Sequence, residues 1–213
     1  METHNPNITP EGNFILTYFP NTEPHTPLEE AIQFLYDSYN HKGEFTMRSP
    51  LVKEQLTDKI NNVLLPACEE GNQDAIHWMF VAYANGLGVE EDEDKALEYL
   101  KILAEYGYPD MQCELGKWYE TVDWGTRKEE MNREAVKWFA KAAEQGNVEA
   151  MYCLGECYRD GSGVDEDQKK AVEWFTKAAK QGHEEAKAKL EFYNRRESEN
   201  AFDNISGAAD VIS

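Results

Sequence analysis

Four groups of residues in this chain of 213 have types and spacings that could do chemistry. The segment HEEAK, residues 183–187, begins as a zinc-protease helix does. Such a helix needs a second histidine four residues after the first, so that both imidazoles share one face. Lys187 stands there instead, and the ligand pair is absent. Cys153 and Cys157 lie one helical turn apart and could offer two thiolates. Structural zinc takes four ligands, however, and no His–Cys cluster accompanies them. Packing thiols are the favoured reading, because free cysteine is among the most buried residue types. Nucleophilic use would need a thiol pKa lowered by cations, which an acidic chain supplies poorly. The third group, DGSGVDED at 160–167, has the glycines and acids of a ligand loop. A calcium loop requires glycine at its sixth position, and counting from Asp160 that position is Asp165. A phosphate loop requires a lysine after its glycines, and here acids follow. The fourth group, EEDED at 90–94, reads as N-terminal stabilisation of a helix and as a solubilising run; its sharper alternative is docking of a basic partner. No catalytic residue, metal ligand or cofactor site is therefore expected.

The bulk properties narrow the partner. Forty-one acids against 21 bases give a formal net charge of -20. That works against nucleic acid and anionic membranes, both of which need cationic partners, and it admits a basic protein. Apolar residues at 41% and charged residues at 29% are ordinary for a globular chain with a sizeable core. The start, METHNPNITPEGN, has no basic region and no apolar segment of signal length. No apolar run approaches the roughly 20 residues of a membrane span. Cysteines at 68, 113, 153 and 157 without a signal are expected as reduced thiols in the cytoplasm.

What must position these residues is a repeat. EEGNQDA, EYGYPDM, EQGNVEA and KQGHEEA recur around Gly71, Gly107, Gly146 and Gly182, at separations of 36, 39 and 36. Met79, Leu115 and Leu154 keep the same register, as do Tyr83, Tyr119 and Tyr158, and Tyr99, Trp138 and Trp174. Each unit is then helix, turn, helix, turn. In the last unit Ala150, Leu154 and Tyr158 share one face. Gly155 admits a close neighbour, Gly161 takes a left-handed cap, and Asp165 or Asp167 caps the second helix. Ala171, Trp174, Phe175, Ala178 and Ala179 form the apolar stripe of that helix, and Gly182 stops it. The glycine-rich acidic loop is thus the hinge of a helical hairpin.

With these residues in view, the chain resembles the Sel-1-like repeat family, relatives of tetratricopeptide repeats. The segment AMYCLGECYRDGSGVDEDQKKAVEWFTKAAKQGHEEA carries the pattern at Leu154-Gly155, Tyr158, Gly161-Ser162-Gly163-Val164, Lys170-Ala171, Trp174 and Lys177-Ala178-Ala179. DAIHWMFVAYANGLGVEEDEDKALEYLKILAEYG follows it, with Phe80 where the pattern has glycine. The middle unit keeps Leu115-Gly116-Tyr119 and AVKWFAKAAEQG but replaces the GxGV turn with the longer ETVDWGTRKEEMNRE. The resemblance implies an all-α, right-handed α-solenoid of antiparallel helix pairs that acts as a protein-binding scaffold or adaptor, without shared catalytic residues. In bacteria, similar proteins serve as signalling or secretion-associated adaptors, and some resemble immunity proteins of toxin systems.

The expected organisation is an extended segment at 1–26 and a degenerate N-terminal helical pair at 27–70. Three repeats follow at 71–106, 107–145 and 146–182, then a capping helix at 183–196 and a mobile tail at 197–213. Thr26 and Pro27 open the first helix, Ser49-Pro50 opens the second, and Pro66 should kink the latter. Stripes left over from the core face are His77–Val81–Ala84, Cys113–Lys117–Glu120, Tyr152–Glu156–Arg159 and Ala188–Phe192–Arg195. First helices of such repeats line the concave surface, as the resemblance implies. His77, Lys117, Tyr152, Glu156 and Arg159 are therefore expected to bind a protein or peptide; the alternative is that they are ordinary solvated or interhelix positions. Trp124, in the lengthened turn, is either tucked back as a cap, the favoured reading because exposed tryptophan is costly, or an interface anchor. A second functional expectation is an acidic immunity or inhibitor protein that neutralises a basic toxin.

Overall fold

The computed structural model describes residues 26–40, 50–121 and 125–195, with side chains omitted at 38–40 and 50. The expectations for the tail at 197–213, for Trp124 and for the segment 1–26 short of Thr26 lie outside the described residues. The chain divides into two compact units, residues 1–78 with 87–89, and residues 79–86 with 90–213. Among the described residues all regular structure is helical.

In the first unit, α1 (Pro27–Asn40) starts on a capping box. The Glu29 amide donates to the Thr26 hydroxyl at 3.2 Å and the Thr26 amide donates to the Glu29 carboxylate at 2.9 Å. After α2 (Pro50–Lys59) the chain widens into a π turn, Ile60–Leu64, before α3 (Leu65–Glu69). Pro66 explains the position of this irregularity. It has no N–H to return to the carbonyl four residues earlier, and its ring crowds that carbonyl, so the disturbance falls on its N-terminal side. Ala31, Ile32, Leu35, Leu56, Ile60 and Leu64 are buried here. Gly88, at φ 71°, lies so near α2 that an added Cβ would stand 2.6 Å from that of Leu56.

α4 (Gln73–Asn85) runs from the first unit into the second. There follow α5 (Glu93–Glu105), α6 (Pro109–Thr121), a 3-10 turn at Gly125–Arg127, α7 (Lys128–Glu144), α8 (Val148–Asp160), α9 (Gln168–Lys180) and a helix over 184–195, α10. Within this unit α5 packs on α6, α6 on α7, α7 on α8 and α8 on α9, the serial stacking of an α-solenoid.

The hinge inside a repeat is built twice in the same way. The Asp92 amide donates to the Tyr83 carbonyl at 3.1 Å, the Asp92 carboxylate caps α5 by accepting from the Lys95 amide, and the Lys95 ammonium sits 4.8 Å from the Tyr83 ring. Asp167, Lys170 and Tyr158 repeat all three contacts, at 2.8 Å for the backbone bond and 5.0 Å for the cation–π pair. Of the two acids that could cap α9, it is Asp167 that does so. The middle repeat lacks this device: Arg127 precedes α7 and makes no side-chain cap.

Gly116 and Gly155 face the aromatic rings of Phe139 and Phe175. A Cβ on either would lie 2.6 Å from the ring of Phe139 or Phe175, both fully buried. Trp174 and Ala179 are only partly buried, so the innermost part of the α9 stripe is Ala171, Phe175 and Ala178.

Candidate functional site

The first helices of two successive repeats, α6 and α8, and the helix that follows the last repeat, α10, are bridged by polar contacts. Their register is set at the helix starts. Asn147 caps α8 by accepting from the Ala150 amide at 2.7 Å, and His183 caps α10 by accepting from the Ala186 amide on Nδ1 at 3.3 Å. His183 Nε2 lies 3.0 Å from a Glu149 carboxylate oxygen, and its Nδ1 lies 3.3 Å from a Glu185 carboxylate oxygen. The His183 ring also stacks on Tyr152, with centroids 4.5 Å apart and planes 16° from parallel.

From Glu149 the ladder continues to α6. The Lys117 ammonium lies 3.1 Å from Glu149 and 3.3 Å from Glu114. Burial alone would push the Lys117 pKa down, but the charges of Glu114 and Glu149 outweigh it and hold the pKa raised. Burial of Glu149 is likewise outweighed, by the His183 hydrogen bond and by Lys117, and its pKa falls.

A turn further along α8, the Arg159 guanidinium grips Asp160 through Nε and Nη2 at 2.7 and 2.6 Å and reaches Glu156 at 2.7 Å. The Asp160 hydrogen bond raises the Arg159 pKa, and Asp160 is lowered in return. Lys189 of α10 meets the other oxygen of Glu156 at 3.1 Å. Burial raises Glu120 and Tyr152 above their ordinary values.

Lys117 and Tyr152 thus belong to one group bridging α6, α8 and α10, and Glu156 and Arg159 to a second bridging α8 and α10. His77 belongs to the first unit; it lies on α4, half-buried, where desolvation lowers its pKa to about 4. Trp124 lies outside the described residues. On α10 it is Lys189 that reaches the face, whereas Ala188, Phe192 and Arg195 are exposed. Reading the sequence missed Glu149, His183 and Lys189. The signal for His183 was present: it follows Gly182 as Asn147 follows Gly146 and Asn72 follows Gly71, each a helix cap. Glu149 and Lys189 meet their partners only across repeats, 34 and 33 residues apart, which one repeat read alone does not reveal.

The four cysteines are free thiols, Cys113 and Cys157 buried, Cys68 and Cys153 partly buried. Burial raises the Cys68 pKa to about 11 and pushes Cys157 higher still. Such thiols are poor nucleophiles. Among the described residues no group of three His, Cys, Asp or Glu side chains is placed to hold a metal ion. No described helix is long and apolar enough to cross a membrane.

The fold has known counterparts. The chain is 35% identical to a Sel1 repeat protein from Oxalobacter formigenes of known crystal structure, with a TM-score of 0.53, over 65% of this chain and 98% of that one. It is 27% identical to a protective antigen of uropathogenic Escherichia coli described as displaying an SLR fold, with a TM-score of 0.58, over 78% of this chain and 36% of that one. A stretch of 77 residues is 39% identical to wolframin of Drosophila melanogaster, and the match spans 34% of this chain and only 9% of wolframin. The Sel1 repeat family model matches residues 73–108, 109–147 and 148–183. With three consecutive repeats occupying more than half of its length, the chain belongs to the Sel1 repeat family.

Proposed function

We propose that the chain is a non-catalytic adaptor whose second unit binds a protein or peptide on the face shared by α6, α8 and α10. Sel1 repeat proteins are in general scaffolds for protein interaction. The observation that carries the finer reading is the ladder Lys117–Glu149–His183 stacked on Tyr152, which aligns three helices and leaves polar groups along one surface. Lys117, Tyr152, Glu156 and Arg159 are the contact residues in this reading. His77, in the first unit, is a separate candidate contact on α4, and Trp124 is a candidate anchor in the lengthened turn.

The face favours a cationic partner. Glu114, Glu120, Glu149, Glu156, Asp160 and Glu185 outnumber Lys117, Arg159 and Lys189. A basic segment arriving there exchanges existing ion pairs for new ones while an acidic segment meets repulsion. The charge of -20 favours a second version, an inhibitor that neutralises a basic toxin or effector. Four free thiols fit a reducing compartment, and we assign the cytoplasm on that ground. In the first unit, Gly88 packs on the backbone of α2 just as Gly163 packs on that of α7 in the second, which supports reading α1–α3 as a degenerate helical pair.

The test is capture from lysate of the native host at low and high salt, with bound proteins identified by mass. One stoichiometric basic partner lost at high salt favours the inhibitor version, because steering between opposite charges is screened. Salt-resistant or neutral partners favour the adaptor. Absence of any partner in both conditions contradicts both.

A further inference from the structure

α9 departs from the charge of the molecule around it. In a chain of net charge -20, its 13 residues carry four lysines against one acid, Glu173. Lys169, Glu173, Lys177 and Lys180 stand at i, i+4, i+8 and i+11, and all four lie on one exposed side of the helix. Lys169, Lys177 and Lys180 enter no ion pair among the described residues, whereas Lys117, Arg159 and Lys189 of the polar face are all paired. Two half-buried apolar side chains flank the lysines: Val172, and Trp174, whose ring centre lies 3.5 Å from the Lys177 ammonium. A chain with twice as many acids as bases thus leaves three ammonium groups of one helix without a carboxylate.

We infer that this side of α9 is a docking surface for the chain's own acidic C-terminal segment, residues 197–213. The end of α10 lies where such a segment must start. Tyr193, in the last turn of α10, donates its hydroxyl to the Gln168 side chain at 2.8 Å, and its ring lies 6.3 Å from that of Phe175. The chain therefore leaves α10 beside the first residue of α9. At 1.5 Å per residue α9 is about 20 Å long. The 17 residues ESENAFDNISGAADVIS reach about 55 Å when extended, enough to run its whole length. They hold four acids, Glu197, Glu199, Asp203 and Asp210, and no base, with Phe202, Ile205, Val211 and Ile212 between and after them. The carboxylates complement the unpaired ammonium groups, and the apolar side chains complement Val172 and Trp174. The polar face of α6, α8 and α10 repels the same segment, because acids are in excess there. Docked in this way, the segment closes the basic stripe to other acidic ligands. The inference concerns α9 alone and does not depend on the proposed binding face.

The full native chain, in an equal mixture with isotope-labelled chain, is treated with a carbodiimide that joins touching carboxylates and ammonium groups as amides, and the digest is mapped by mass. The Lys117–Glu149 pair, 3.1 Å apart, is the internal control. The expected result is links within one chain from Lys169, Lys177 or Lys180 to Glu199, Asp203 or Asp210, weakening as salt is raised. In the double variant Lys177→Gln, Lys180→Gln, chymotrypsin should cut after Phe202 several-fold faster than in the native chain, since cleavage follows the undocked population. The native-chain map does not depend on that variant folding. Links from the segment to other lysines only, links only between chains, or the control link with no segment link would overturn the inference. Equal cleavage in a folded double variant would overturn it too.

Discussion

Gly155 and Phe175 form a contact that tolerates no added atom. The ring is fully buried and cannot swing away, and a Cβ at 155 would stand 2.6 Å from it. Gly155→Ala is expected to cost about 1–3 kcal/mol, as overpacking of a close-packed interior does. Equilibrium denaturation by urea checks this. His77 supplies the second prediction at this scale. Burial lowers its folded pKa from 6.5 to about 4, so between those values the unfolded chain takes up a proton that the folded chain refuses. Stability should therefore fall as pH drops from 6.5 towards 4 and recover as it rises. His77→Gln should flatten that part of the profile in thermal unfolding across the window. Unchanged pH dependence in the variant would remove His77 as its source. The role of Gly155 was legible in the sequence, because a glycine held in register beside an aromatic position implies close approach. Of His183 only the capping position was legible, since its contacts with Glu149 and Tyr152 come from residues more than 30 positions earlier.

Helices and hinges carry predictions of their own. Gly163 has φ 72°, and its Cβ would fall 2.4 Å from the Asn132 backbone on α7. Gly146 has φ 93° with open space around it. Gly163→Ala combines left-handed strain with a backbone clash and should cost at least about 2 kcal/mol. Gly146→Ala carries strain only and should cost about 1 kcal/mol. Equal losses in chemical denaturation would contradict this reading of the hinge. Asp92 and Asp167 test the hinge through pH. Hydrogen bonds from the amides of Lys95 and Lys170 lead the causes that hold their carboxyls below 3.8. A depressed folded pKa gives stability that is complete above the unfolded value and lost as pH falls through the folded one. The double variant Asp92→Asn, Asp167→Asn should therefore show a shallower fall in melting temperature below pH 3.8 than the native chain. The hinge was nearly complete in the sequence, because glycines, the capping acid and the following amphipathic stripe are local features. The π turn before Pro66 was visible only as a kink, because a missing N–H says where the ladder fails but not how the chain rejoins it. On α10 the contact of Lys189 with Glu156 was not legible, since the last helix has no following repeat to define its register.

At the scale of the whole molecule, the repeats of the second unit are in contact mainly with their neighbours along the chain. The Sel1 repeat scaffold was legible because a period of 36 to 39 residues survives every local substitution. The proposed binding face was half legible. Stripes on single helices could be read, but the acids that bind those stripes together lie one repeat away. If a cationic partner binds there, its association rate should fall steeply as salt is raised from low to physiological levels, a dependence that stopped-flow mixing measures. The most direct test of the account compares a captured partner's affinity for the native chain and for the triple variant Lys117→Ala, Tyr152→Ala, Arg159→Ala, with folding verified by circular dichroism and melting temperature. The account predicts at least roughly tenfold weaker binding by a folded triple variant, equivalent to about 1.4 kcal/mol. Native affinity in that folded variant would contradict it.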